Sequence, residues 1–112
     1  MTMKQYTNES QTAKLIKLGL EKPSNTIVKE EPIYREGSII DWKPIAEEGA
    51  YSIGELIEML PTRYNHEDLE INRDWRFERW LVFYRGDDTT AATELIDALY
   101  AMVVKLKEEE VI

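Results

Sequence analysis

His66 is the only histidine, and the chain has no cysteine. One imidazole cannot build a histidine-based metal site. The missing thiol removes thiolate nucleophiles, zinc ribbons, iron–sulfur clusters and disulfides together. His66-Glu67-Asp68 sets two carboxylates beside the ring, but adjacent side chains in an extended segment point apart. The plainer expectation for His66 is a solvated loop histidine rather than a general base. Carboxylates are abundant: Glu30-Glu31, Glu47-Glu48, Asp87-Asp88 and Glu108-Glu109-Glu110. None has the alternating oxygen spacing of a calcium loop. Any acidic chain offers pairs of the glycosidase kind, and no other residue here supports that chemistry. The five glycines are isolated, so there is no phosphate-cradling loop. Ser10, Ser24, Ser38 and Ser52 lack a nucleophile elbow. The expectation is a chain without catalytic residues, cofactor or metal.

The aromatic residues and arginines carry more information. Trp42, Tyr51, Tyr64, Trp75, Phe77, Trp80, Phe83 and Tyr84 are concentrated in the middle and second half of the chain. Most are expected to fill a sheet–helix core. The alternation Trp75-Arg76-Phe77-Glu78-Arg79-Trp80 leaves some of them facing outward. Arg63, Arg73, Arg76, Arg79 and Arg85 fall in the same region. Trp, Tyr and Arg are the types enriched at interface hot spots. Tyr64, Trp75, Arg76 and Arg79 are therefore the expected partner-binding residues.

The elements that must position these side chains follow from periodicity and caps. Asn8 to Leu18 reads as a helix. Asn8 and Gln11 form a capping box, Gly19 stands at a left-handed C-terminal cap, and Pro23 bars continuation. Asn25–Lys29 and Ile33–Arg35, joined by Glu30-Glu31-Pro32, read as a small hairpin. Glu36 to Ala50 reads as a connection carrying the apolar anchors Ile39, Ile40, Trp42 and Ile45. Ser52 to Leu60 is a second helix, boxed by Ser52 and Glu55 and ended by Pro61. Leu69 to Tyr84 is a second β region with its turn near Asn72 to Arg76. Asp87 to Ile112 holds the strongest pattern. Ala92, Leu95, Ile96, Leu99, Met102, Val103 and Leu106 recur at three- and four-residue spacing, one stripe of an amphipathic helix. One of Asp88, Thr89 or Thr90 is expected to cap it.

The order α-β-β-α-β-β-α implies a small α+β domain with an antiparallel sheet covered by helices on one side. At 112 residues the chain fits a single domain over 1–112. Residues 1–7 and 108–112 are expected to fray. In the latter, Glu108 to Glu110 oppose the macrodipole at a helix C-terminus.

Twenty-two acidic against fourteen basic residues give a formal charge of −8. Such a chain is repelled by nucleic acid and by anionic membranes. No apolar run reaches the length of a membrane span, and the polar N-terminus has no secretory h-region, so a cytoplasmic location is expected.

Four segments in order carry a resemblance. Gln11 to Leu20 opens the chain as QTAKLIKLGL, and Trp42 and Pro44 stand in the middle. Ser52 to Pro61 follows as SIGELIEMLP, and Leu95 to Tyr100 closes as LIDALY. Together these resemble a set of short uncharacterised proteins of gut Bacteroidales genomes, prophages and mobile elements. The resemblance implies a phage or mobile-element setting and no catalytic residues. The functional expectation is a non-enzymatic interaction module that binds a protein partner or a second copy of itself. Two alternatives stand beside it. One is an acidic nucleic-acid mimic that blocks a DNA-binding enzyme. The other is a small hydrolase using carboxylates with His66.

Overall fold

The computed structural model describes residues 3–112, and the side chains of all of these except 27, 29 and 46–48. Its elements are α1 (Glu9–Lys17), β1 (Asn25–Arg35), β2 (Ser38–Ala50), α2 (Ile53–Met59), β3 (Arg63–Tyr64), β4 (Glu67–Asp74), β5 (Arg79–Tyr84), β6 (Thr89–Ala92) and α3 (Leu95–Glu108). The fold is α+β, and the order α-β-β-α-β-β-α is present with two short strands, β3 and β6, added at the sheet edges. Pairing is antiparallel throughout. It separates into a four-stranded sheet in the order β3-β4-β5-β6 and a two-stranded hairpin of β1 and β2.

Both predicted capping boxes form. The Asn8 side chain accepts the Gln11 N–H at 2.8 Å, and the Asn8 N–H donates back to Gln11 Oε1 at 3.0 Å. Ser52 and Glu55 repeat the exchange at 3.1 Å in both directions. Gly19, at φ +92°, closes α1. Its N–H reaches the Ile16 carbonyl and the Leu20 N–H reaches the Leu15 carbonyl, the paired bonds of a Schellman motif.

The core lies between the inner face of the four-stranded sheet and the helices. Leu95, Ile96, Ala98, Leu99, Met102, Val103 and Leu106 of α3 are buried against Val82 and Tyr84 of β5, Leu56 and Leu60 of α2 and its end, Leu15 of α1, and Tyr51. The Leu69↔Tyr84 and Ile71↔Val82 pairs put these four side chains on that same face. Tyr84 is buried, which pushes its phenol up to about 12, and its hydroxyl donates to the Pro61 carbonyl at 2.6 Å.

Four expectations are corrected. Residues 25–50 do not form a small hairpin followed by a connection. They form one long hairpin, and the turn is Glu36-Gly37, not Glu30-Glu31-Pro32. The β4–β5 turn is at residues 75–78, after Asn72 and Asp74 have paired with Leu81 and Arg79. Thr89 and Thr90 belong to β6, so they do not cap α3. Its N-cap is Glu94, without a side-chain cap bond. The Thr90 hydroxyl bonds instead to the Ala98 carbonyl at 2.7 Å and ties β6 to the helix.

The described parts of both ends are held. The Thr7 N–H donates to the Tyr51 carbonyl, and Tyr6 forms a bridge with Ser52. α3 ends at Glu108, and the Val111 N–H closes on the Leu106 carbonyl at 2.8 Å. Val111 and Ile112 pack on the core, and that burial outweighs the unfavourable end charges. The Glu109 carboxyl is pushed up by its hydrogen bond with Asp88, more than by burial or by the Asp88 and Asp87 charges. Met1 and Thr2 lie outside the described residues.

Candidate interaction surface

The hairpin is where the chain departs from a compact shape. Its radius of gyration is 17.0 Å and its extents are 61 × 36 × 17 Å. A compact domain of this length has a radius near ~13 Å. Glu36 at φ +54° and Gly37 at φ +82° make the tight two-residue turn at the tip. Left-handed backbone at both positions matches the twist of the flanking strands. Behind the tip, β1 and β2 pair along their full lengths with two irregularities, where Ile45 and Ile40 are the extra residues on β2.

The register sorts the side chains into two unlike faces. Val28, Pro32 and Tyr34 of β1 share a face with Ile39, Trp42 and Pro44 of β2, through the Tyr34↔Ile39, Pro32↔Trp42 and Glu30↔Pro44 pairs. Among the described side chains, Glu30 is the single charge there. The opposite face carries Glu31, Ile33, Arg35, Asp41 and Lys43, and Glu31 pairs with Lys43 at 3.7 Å. Much of the apolar face is open to solvent. Tyr34 is 63% exposed and Trp42 52%, and Val28, Ile39, Ile40 and Ile45 are all near half exposed. Two exposed strands gain little from pairing alone.

The root of the arm is tightly built. Glu55, at the start of α2, takes bonds from the Ser52 N–H at 3.1 Å, the Ser24 N–H at 3.3 Å, the Ser24 hydroxyl at 3.1 Å and the Asn25 amide. Partial burial raises its carboxyl pKa, but these donors outweigh burial and hold it below the ordinary value. On the other strand, the Tyr51 N–H donates to Thr7 Oγ1 at 3.0 Å, and that hydroxyl meets Thr12 Oγ1 at 2.7 Å. The Tyr51 hydroxyl bonds the Glu21 carbonyl; burial and then the Glu55 charge push this phenol up. Gly49 passes so close to Pro23 that a Cβ there would lie 2.9 Å from the proline ring. Glu21, Lys22, Glu55, Glu58 and Met59 line a shallow cavity of about 250 Å³ beside this root.

The residues expected at a partner site divide into two places. Trp75, Arg76 and Arg79 come together at the β4–β5 turn. Arg76 lies over the Trp75 ring at 5.7 Å, and Arg79 lies over Phe77 at 5.0 Å while pairing with Asp74 at 3.1 Å. Trp75 is 77% exposed. Tyr64 is elsewhere. It stands at the opposite end of β4, half-buried and edge-on to Tyr84 at 5.6 Å.

His66, at φ +68°, is an exposed turn residue beside Asn65. Its carbonyl accepts from Arg63, which also pairs with Asp68 at 3.3 Å. Among the described residues no group of three or more His, Asp or Glu is placed to hold a metal ion. Several carboxylates are matched to cations: Asp97 with Lys4, Glu70 with Arg85 and Asp88 with Lys105, at 3.1, 2.9 and 3.0 Å. The Glu47-Glu48 pair lies outside the described side chains.

No family model, curated protein or solved structure matches this chain.

The arm was hidden in the sequence behind its prolines. Pro32 and Pro44 argue against strands, yet a hairpin has two edges and tolerates both. The signal that would have found it is Glu36-Gly37 between Ile33-Tyr34 and Ile39-Ile40, a two-residue turn ending in glycine between β-branched and aromatic runs.

Proposed function

We propose that this chain is a protein-interaction module that makes its contact through the apolar face of the β1–β2 arm. One observation carries the reading. Six large apolar side chains, Val28, Tyr34, Ile39, Ile40, Trp42 and Ile45, stand near or above half exposure on one hairpin whose root is fixed to the body. Contiguous apolar surface of this extent marks interaction sites in folded proteins. Trp42 near its middle and Tyr34 toward the tip are of the residue types that dominate interface energetics. The exposed Trp75–Arg79 turn is a smaller second surface within the same reading.

Among the described residues no helix is long and apolar enough to cross a membrane. A cytoplasmic setting, and the phage or mobile-element setting that the resemblance implies, fit a module of this kind.

The test is the double variant Tyr34→Ser/Trp42→Ser. It should lose the associations of the wild-type chain and keep its circular dichroism and melting temperature. If the same partners still bind, the arm is not the contact surface.

A further inference from the structure

We infer that the occupant of the arm's apolar face is the same face of a second copy, two arms stacking into a small four-stranded sandwich about a two-fold axis. This rests on the reading of the arm as the contact surface and adds the identity of the partner.

The edges of the arm are poor templates. Pro32 and Pro44 each remove a backbone donor, and the extra residues Ile40 and Ile45 interrupt β2. Prolines and bulges are the devices by which sheets discourage edge-to-edge pairing. A partner strand adding sideways is therefore opposed, and the exposed face is what remains to be covered.

The area fits a dimer. The exposed side chains that the register puts on this face, Val28, Glu30, Tyr34, Ile39, Trp42 and Pro44, leave on the order of 100 Å² each, roughly 600 Å² per copy and about 1,200 Å² in a pair, the lower bound of specific, stable interfaces. Two twisted hairpins stacked about 10 Å apart would bury their apolar faces against each other and leave the Glu31–Lys43 faces in water.

The layout also suits two-fold symmetry. The stripe runs from Val28 to the Tyr34–Ile39 pair, so its middle falls between the Glu30–Pro44 and Pro32–Trp42 rows. An axis there brings Trp42 against the Pro32–Pro44 region of the other copy, a central aromatic anchor. Glu30 stands in a row next to that axis, but on a strand that is itself an edge, so its exposed carboxylate can turn sideways to water.

Charge gives a signature. Two copies of −8 repel, and added salt screens that repulsion without weakening apolar packing. Salt therefore tightens this dimer, whereas it loosens a complex with a basic protein or a nucleic acid.

The test is sedimentation of the full chain across the micromolar range, at low and high salt. The expected result is a dimer that tightens with salt, becomes monomeric in Tyr34→Ser/Trp42→Ser, and persists in Trp75→Ala/Phe77→Ser. Because the chain has no cysteine, Glu30→Cys and Glu31→Cys report the two faces separately. A short bis-maleimide should cross-link two copies of Glu30→Cys and leave Glu31→Cys monomeric. A wild-type chain that is monomeric throughout overturns the second-copy inference and leaves the arm reading standing for another protein. A dimer that ignores the arm substitutions, or that cross-links through Glu31→Cys alone, overturns both.

Discussion

The body and the arm use the same residue types for opposite ends. In α3, Leu99, Met102 and Val103 are fully buried. In the arm, Ile39, Trp42 and Tyr34 are as apolar and meet water. The difference is one of layers. The four-stranded sheet has helices on its inner face, whereas the hairpin has two strands and meets α1 near its root. An element that cannot bury its own apolar face is incomplete until something else covers it. The contrast separates side chains that hold the fold together from side chains available for contact.

Substitutions should fall on either side of that contrast. The largest effect belongs to the body: Leu99→Ala should cost about 2–5 kcal/mol, read as a lowered urea midpoint. Trp42→Ser, at low protein concentration, should stay within about 0.5 kcal/mol of the wild type. If the two cost the same, the arm is part of the folding core and the contrast fails.

The junction comes next. Glu55→Gln keeps the shape and removes the charge, and should cost about 1–2 kcal/mol through weaker bonds to Ser24, Asn25 and Ser52. The sign with pH is fixed by the lowered carboxyl pKa. Between that value and the ordinary carboxylate pKa, the unfolded chain binds more protons than the folded one. The Glu55 contribution is therefore present above the ordinary pKa and lost as pH falls through the lowered one. Acid titration of stability should be shallower in Glu55→Gln. An unchanged slope would remove Glu55 as the anchor.

A smaller effect is expected at Gly49→Ala. The new methyl group meets the Pro23 ring and must move it, for about 1 kcal/mol, with amide shifts confined to residues near 23–26 and 49–51. Shifts spread through α3 would mean that root and body are not separable. The smallest effect is at the other exposed turn, where Trp75→Ala should leave the melting temperature unchanged, since Trp75 is 77% exposed and its neighbour over the ring is the exposed Arg76.

Local rules made much of the body legible in the sequence. Asn8 with Gln11 and Ser52 with Glu55 announced two helix starts, and the Leu95-to-Leu106 stripe announced the helix that anchors the core. Each rests on contacts within a few residues. What stayed hidden depended on partners far along the chain. Thr89 and Thr90 look like caps, and become strand because Phe83 and Val82 pair with them. Glu36 to Ala50 looks like a connection, and becomes strand because residues 25–35 lie beside it. At the expected site, Trp75, Arg76 and Arg79 are close in sequence and share the β4–β5 turn, Arg76 over Trp75 and Arg79 over Phe77. Tyr64 could be placed only by knowing that β4 would carry the turn away from it.

The arm also has a mechanical side. It enters through Ser24 and Asn25 and leaves through Ala50 and Tyr51, so all load passes through one narrow foot. Eleven extended residues span about 37 Å. A sideways pull at Gly37 therefore acts with long leverage on the few hydrogen bonds around Glu55. Torque, more than tension, decides where such a molecule gives way, and it should swing at the foot before a single helix of the body is disturbed.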